Sequence, residues 1–256
     1  MQGQNQQQAY DRGITIFSPD GRLYQVEYAR EAVKRGTASI GVRTNDGVVL
    51  VVDKRIRSPL LEGTSVEKLH KVDDHVGIAS AGHVADARQL IDYARRQAQV
   101  EQLRYGEPIG VEPLTKMVVD NIQQYTQVGG ARPFGVALII GGIEDGEPRL
   151  YETDPSGTPY EWKALAVGGN RNDIEDYLQE QYTEEMDLDA GIGLALEALE
   201  SVNEEGLQAQ GLGVATVDVE TEQFRELPVD EVATHLEEHD LLAEDEPDDG
   251  DDEPSE

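Results

Sequence analysis

The run "VKRGTASIGV", Val33 to Val42, sets a Gly-Thr pair at the head of an apolar, β-prone stretch. A threonine becomes a nucleophile when its own freed α-amine serves as general base, which requires it to be the first residue of its chain. Cleavage after Gly36 would give Thr37 that status. Asp53 and Lys68 lie downstream as charged groups able to orient such a centre. In an uncut chain the same pair reads as a helix C-cap followed by a strand, and Thr37 is a strand residue with no base beside it. The residues alone leave both readings open.

Three further motifs have chemistry in their spacing. "HLEEH", His235 to His239, fits the inverted zinc-protease pattern and sets two histidines on one face of a helix. No other motif supplies a third ligand and an acidic tail follows at once, so two exposed helical histidines are expected. His70, His75 and His83 show no ligand spacing. "VGGNRND", Val167 to Asp173, follows a strand and precedes a helix as a phosphate loop would. It lacks the full dinucleotide glycine pattern and the phosphate-binding lysine, so a turn with an N-cap is expected. In "GIASAG" Ile78, not glycine, lies two before Ser80, which removes the nucleophile-elbow reading. Neither a metal nor a cofactor is expected.

The elements that position these residues sit in a strongly acidic chain. Its 256 residues carry 52 acids against 21 Lys and Arg, a formal net charge of -31. Such a surface repels phosphates and anionic lipids, which sets nucleic acid and membranes aside as partners. The stretch "EDEPDDGDDEPSE", Glu244 to Glu256, holds nine acids and no apolar residue, so residues 243–256 are expected to be a disordered tail. Those nine acids are under a third of the net charge, so the folded part is acidic too. An acid excess throughout suits a cytoplasm of very high salt, where the Debye length is about 3 Å at 1 M. There is no cysteine, which excludes disulfides, thiolate metal sites and a cysteine nucleophile. "MQGQNQQQAY" has no signal-peptide character, and no apolar stretch reaches the roughly 20 residues of a membrane helix. A cytoplasmic protein is expected.

Residues 1–9 are Gln-rich and unpatterned, hence expected to be mobile. After the turn "SPDG", Leu23, Val26, Ala29 and Val33 recur at helical spacing, predicting a helix over about 20–35 with Gly36 as C′ residue. "TASIGVRT" and "GVVLVVDKR" are strands joined by a hairpin at "NDG", and "HVGIASAG" is another. Helices are predicted over about His83–Tyr105 and Val111–Gln127. The strands "FGVALIIGGI" and "PRLYETD" follow, joined by "EDGE", and then a short pair of strands ending at "KALAVGG". Helices at about Asn172–Tyr182 and Asp189–Glu204, strands "GVATVDVE" and "FRELP", and a helix near Val229–Leu242 complete the chain. Strands grouped by hairpins argue against an alternating parallel sheet. Two antiparallel sheets packed face to face, with helix pairs outside, satisfy this order as one domain over 10–242. Tyr10, Asp11, Tyr24 and Tyr28 surround a proline turn before the first sheet; a helix there either offers Tyr24 and Tyr28 to a subunit contact or simply lies on the domain.

"YDRGITIFSPDGRLYQVEYAREAVKRG" resembles the α-subunit signature of the proteasome core particle in its archaeal form. The likeness continues through "VEKLHKVDD", "SAGHVADAR", "QQYTQVGGARPFGVALIIGG", "DPSG" and "AVGGNRNDIEDYLQEQY", over about residues 9 to 240. It implies an α+β fold, a four-layer αββα sandwich of the N-terminal-nucleophile hydrolase type with an extra N-terminal helix. It also implies a ring of seven α-subunits stacked on rings of β-subunits that carry the protease. In α-subunits the segment before the glycine is retained and gates the axial pore, which would leave Thr37 uncut and inert. By the same resemblance Tyr10, Asp11, Pro19 and Tyr28 match the gate cluster. Lys68, with Gly36 and Gly82 as pocket walls, matches the site for the C-terminal carboxylate of a regulatory AAA ATPase. Val128, Gly129, Gly130, Ala131 and Arg132 match the constriction that admits only unfolded chains, with Val128 in place of the aromatic found in some relatives.

Overall fold

A computed structural model describes residues 23–56, 58, 60–127, 132–203 and 206–242. Its first strands show why the sandwich needs four layers. In "GVVLVVD" the first six residues are all buried. A strand with only one covered face alternates apolar with polar residues, so a continuous apolar run means both faces are covered.

The helix α1 (Tyr24–Lys34) leads into β1 (Ser39–Arg43) and β2 (Gly47–Asp53). Strands β3 (Leu69–Asp73) and β4 (Val76–Gly82) precede the helices α2 (Val84–Tyr105) and α3 (Val111–Gln127). Then come β5 (Val136–Glu144), β6 (Glu147–Thr153), β7 (Pro159–Glu161) and β8 (Ala164–Val167). The helices α4 (Arg171–Gln181) and α5 (Leu188–Glu200), strands β9 (Leu212–Asp218) and β10 (Phe224–Glu226), and helix α6 (Val229–Glu238) follow. One sheet has the order β10-β9-β2-β1-β8 and the other β3-β4-β5-β6-β7, with antiparallel neighbours throughout.

Val48, Leu50 and Val52 point into the space between the sheets, against Ala79, Ala137, Ile139 and Leu150. Val49 and Val51 point the other way, into a core with Leu194, Leu196, Leu199 and Leu236 of α5 and α6. Ile78, Leu138 and Ile140 do the same on the second sheet, against Leu90, Ile91, Leu114 and Ile122 of α2 and α3. Gly41 lets the sheets close: a Cβ there would lie 2.8 Å from Ile139 and 2.9 Å from Leu150. The β5–β6 hairpin turns through Asp145 and Gly146, both with positive φ, the two-residue turn whose twist matches the strands.

The structure departs from the sequence reading at several points. The first helix begins at Tyr24, and its N-cap, Leu23, makes no side-chain cap bond; the turn at Ser18–Gly21 lies outside the described residues. Gly36 does stand at C′, directly after the C-cap Arg35, but without the left-handed φ common there. Strand β3 has no clear signal in "LHKVD", because exposed Lys71 and the charged residues around it mask a short edge strand. The strands β7 and β8 do not pair with each other. Exposed β7 extends the second sheet beside β6, whereas β8, with Leu165, Ala166 and Val167 buried, joins the first sheet beside β1. The helices α5 and α6 also stop earlier than periodicity suggests. The segments 1–9 and 243–256 lie outside the described residues.

Ile139→Ala leaves a cavity where the sheets meet and should lower unfolding stability by about 2–5 kcal/mol. Denaturant unfolding in high salt measures it, and a loss well below about 1 kcal/mol would contradict tight inter-sheet packing.

Candidate functional site

The junction between α1 and β1 is squeezed from two sides. A Cβ on Gly36 would lie 2.7 Å from the Gly82 amide nitrogen, so only glycine fits where the chain passes the end of β4. Gly169, in the turn before α4, donates its amide to the Gly36 carbonyl at 2.8 Å. Gly168 has φ +99°, and a Cβ there would meet the Thr37 carbonyl. The turn "VGGNRND" is therefore committed to the junction. Asn170 stands at the N-cap position of α4, left-handed and without the side-chain cap bond expected of it.

Thr37 lies ahead of β1, which begins at Ser39, and so is not a strand residue. Its Oγ1 donates to the Asp53 carbonyl at 2.5 Å and accepts from Lys68 Nζ at 2.7 Å. The Lys68 ammonium also donates to the carbonyls of Thr37 (3.0 Å), Ala38 (3.0 Å) and Asp53 (2.9 Å). Lys68 is only 7% exposed. Burial lowers its pKa from 10.5 to about 7; the Asp53 charge opposes that shift and the Arg55 charge adds to it. The Asp53 carboxylate itself turns away, accepting from the Arg55 amide at 2.7 Å.

All three residues singled out for a threonine centre thus converge, although Asp53 contributes its backbone and not its carboxylate. Chemically the set lacks a base at the threonine. The Thr37 nitrogen is an amide joined to Gly36, and an acylated nitrogen takes no proton at neutral pH. Lys68 is bonded to Thr37, and Gly36, the residue before it, packs against Gly82.

Helix α1 is held at its middle. Val26, Ala29 and Val33 are buried, and Arg30 grips Asp154 with two bonds, Nε to Oδ2 at 2.9 Å and Nη2 to Oδ1 at 3.1 Å. Burial opposes the charge on Asp154, but bonds from Arg30 and Ser156 win and hold its carboxyl below the usual range. The motif "DPSG" reads only as a turn; no sequence signal links it to a residue 124 positions away. Tyr28 sits half exposed on α1, while Tyr10, Asp11 and Pro19 lie outside the described residues.

Val128, Gly129, Gly130 and Ala131 also lie outside the described residues. Arg132 is described, and its guanidinium is bound in a fork to buried Asp86 at 2.6 and 2.7 Å. Asp86 also accepts the Gly135 amide at 2.8 Å. Burial works against the Asp86 charge, but these bonds more than offset it and lower its pKa. Sequence reasoning missed Asp86; an acid in the first turn of a helix was the available signal.

The histidines of "HLEEH" turn to different carboxylates. His235 Nδ1 lies 3.3 Å from Asp189 and His239 Nδ1 lies 3.0 Å from Glu197. They are half-buried against α5 and not exposed as expected, because Gly193 leaves room for the His239 ring.

A four-layer sandwich with threonine, aspartate and lysine gathered behind an N-terminal helix defines a class, the N-terminal-nucleophile hydrolase fold. Residues 33–217 match the family model for proteasome subunits, and residues 10–32 match the model for the N-terminal signature of A-type proteasome subunits. The chain belongs to the proteasome α-subunit family. It is 77% identical over 255 residues to the proteasome alpha subunit of Natronomonas pharaonis, covering 99% of this chain and 100% of that one. It is 79% identical over 242 residues to proteasome alpha subunit 1 of Haloarcula marismortui (94% and 93% covered). With proteasome alpha subunit 2 of Haloferax volcanii it shares 56% over 235 residues (90% and 94% covered). These relatives come from halophilic archaea, the setting to which the acid excess points. As an α-subunit the chain is non-catalytic, peptidase activity lies in the β-subunits, and it assembles in a ring with other proteasome subunits. Among the described residues no helix is long and apolar enough to cross a membrane.

Asp154→Asn removes the charge that Arg30 grips and should loosen α1 locally, by about 1 kcal/mol for this part-exposed pair. Hydrogen exchange should quicken several-fold across Tyr24–Lys34 and stay unchanged in β5. Unaltered exchange in α1 would show that the pair does not hold the helix.

Proposed function

We propose that the chain forms the outer seven-membered ring of a cytoplasmic proteasome core particle, gates the axial pore and docks a regulatory AAA ATPase. The observation that carries this reading is the occupied junction. The segment before Thr37 continues into α1, whose buried face and Arg30–Asp154 grip tie it to the sandwich. A segment tied down in this way is a working part and not a propeptide awaiting removal.

In this reading residues 1–9 are the mobile gate, and Tyr10, Asp11, Pro19 and Tyr28 form the cluster that holds it open. Val128, Gly129, Gly130, Ala131 and Arg132 line the constriction that admits unfolded protein substrates. The Arg132–Asp86 fork supports this by fixing where the loop returns to β5. Lys68, with Gly36 and Gly82 as pocket walls, takes the activator's C-terminal carboxylate. Its support is electrostatic: a buried ammonium with no carboxylate in contact among the described residues is stabilised by one that arrives. Residues 243–256 remain a solvated acidic tail outside the domain of 10–242.

Deleting residues 2–12 should speed hydrolysis of small peptides by assembled α- and β-rings several-fold. An unchanged rate in correctly assembled particles would sink the gate.

A further inference from the structure

We propose that Asp189, His235 and Glu238 form a binding site for a divalent transition-metal ion, zinc by preference, which ties α6 to the start of α5. Their ligand atoms all lie within 4.8 Å of one another. Asp189 is in the first turn of α5. His235 and Glu238 stand at i and i+3 on α6 and so share one face of it. The motif "HLEEH" thus contributes its first histidine and its second glutamate, while His239 turns away to Glu197.

Neighbouring acids alone would mean little on a chain this acidic, and it is the histidine that singles the place out. His235 Nδ1 is buried and makes no hydrogen bond, although Asp189 Oδ1 lies only 3.3 Å away. A buried polar nitrogen without a partner is uncommon, and a metal ion seated between it and the carboxylates would satisfy it. Neither carboxylate is taken by a cationic side chain. Among the described residues no lysine or arginine pairs with Asp189 or Glu238. Arg225, which lines the same cavity, is held by Glu231, its Nη2 donating to both carboxylate oxygens at 2.5 and 2.6 Å.

The donor set decides the ion. One imidazole nitrogen with two carboxylate oxygens suits zinc and its first-row neighbours, whereas magnesium and calcium prefer oxygen alone. Zinc bonds of about 2.0–2.2 Å set tetrahedral donors about 3.4 Å apart, so no pair here has to close by more than about 1.4 Å. The acids can move that far because both are exposed, the Asp189 side chain by 70%, while the His235 ring stays half-buried against α5. Three protein ligands leave one position open. A cavity of about 520 Å³, lined by Asp189, His235, Thr216 and Thr221, lies beside them and has room for the water that would fill it. Glu238 is also the last residue of α6, where the negative end of the helix dipole favours a cation.

The test is zinc binding to the full-length protein, stripped of metal and kept in high salt, by titration calorimetry and by the visible absorption of cobalt in place of zinc. One equivalent per chain is expected, with the cobalt spectrum of a four-coordinate site. His235→Gln should abolish binding. Asp189→Asn and Glu238→Gln, exposed changes that leave the fold intact, should each weaken it by about tenfold or more. His239→Gln should bind as the wild type does. Zinc should also slow hydrogen exchange several-fold across Val229–Glu238 in the wild type, but not in Asp189→Asn. Less than one equivalent bound, or zinc displaced by a modest excess of magnesium, would overturn the site. Binding that survives both His235→Gln and Asp189→Asn would make the ion a counter-ion of the acidic surface and overturn it equally. Loss of binding in His239→Gln, with Asp189→Asn still binding, would return the ligands to the H-x-x-E-H pattern and overturn this set.

Discussion

The ammonium of Lys68 is the point on which the junction depends. A charge taken out of water costs several kcal/mol unless hydrogen bonds replace its hydration, and here every replacement comes from three residues, Thr37, Ala38 and Asp53. Those residues belong to three pieces of the fold: the exit from α1, the entry to β1 and the end of β2. Displacing any of them leaves a buried charge short of partners. The lysine thus locks the register between the N-terminal helix and the first sheet.

That lock explains how a hydrolase constellation persists in a chain that does not hydrolyse. Threonine, aspartate and lysine lie together, although Asp53 offers its carbonyl and not its carboxylate, and the one group that would make Thr37 reactive, its α-amine, is held in the peptide bond from Gly36. Bonds that would activate a hydroxyl serve instead to stabilise a structure. The glycines at 36, 82 and 168 belong to the same account, since each leaves space that the backbone of a neighbour fills. Around this centre the four layers supply rigidity. Both faces of β2 and β4 are covered, so the ends of the strands that carry Asp53 and Gly82 have little freedom to shift.

Much of this was legible in the sequence, and the reasons are local. "GVVLVVD" announced a doubly covered strand, the hairpin turns at "NDG" and "EDGE" set the pairing, and α3 was bounded correctly by its apolar period alone. Thr37, Asp53 and Lys68 could be singled out by type and spacing. What stayed hidden depends on contacts across long separations. The Arg30–Asp154 grip and the Arg132–Asp86 fork join residues whose local sequences say only helix, turn or loop. Nor could sequence show that Asp53 would offer its carbonyl, because that depends on Arg55 drawing its carboxylate away. The split of β7 and β8 between two sheets was hidden for a similar reason: adjacent short strands look like a hairpin until their burial is known.

The central claim is that the Gly36–Thr37 bond stays intact and Thr37 remains inside the chain. The intact mass of the protein, taken from core particles assembled in its own cells, tests this most directly. The account predicts a mass near the full 28.1 kDa. A chain lacking residues 1–36 would place a free amine on Thr37 beside Lys68, and the clasp described here would be a working nucleophile.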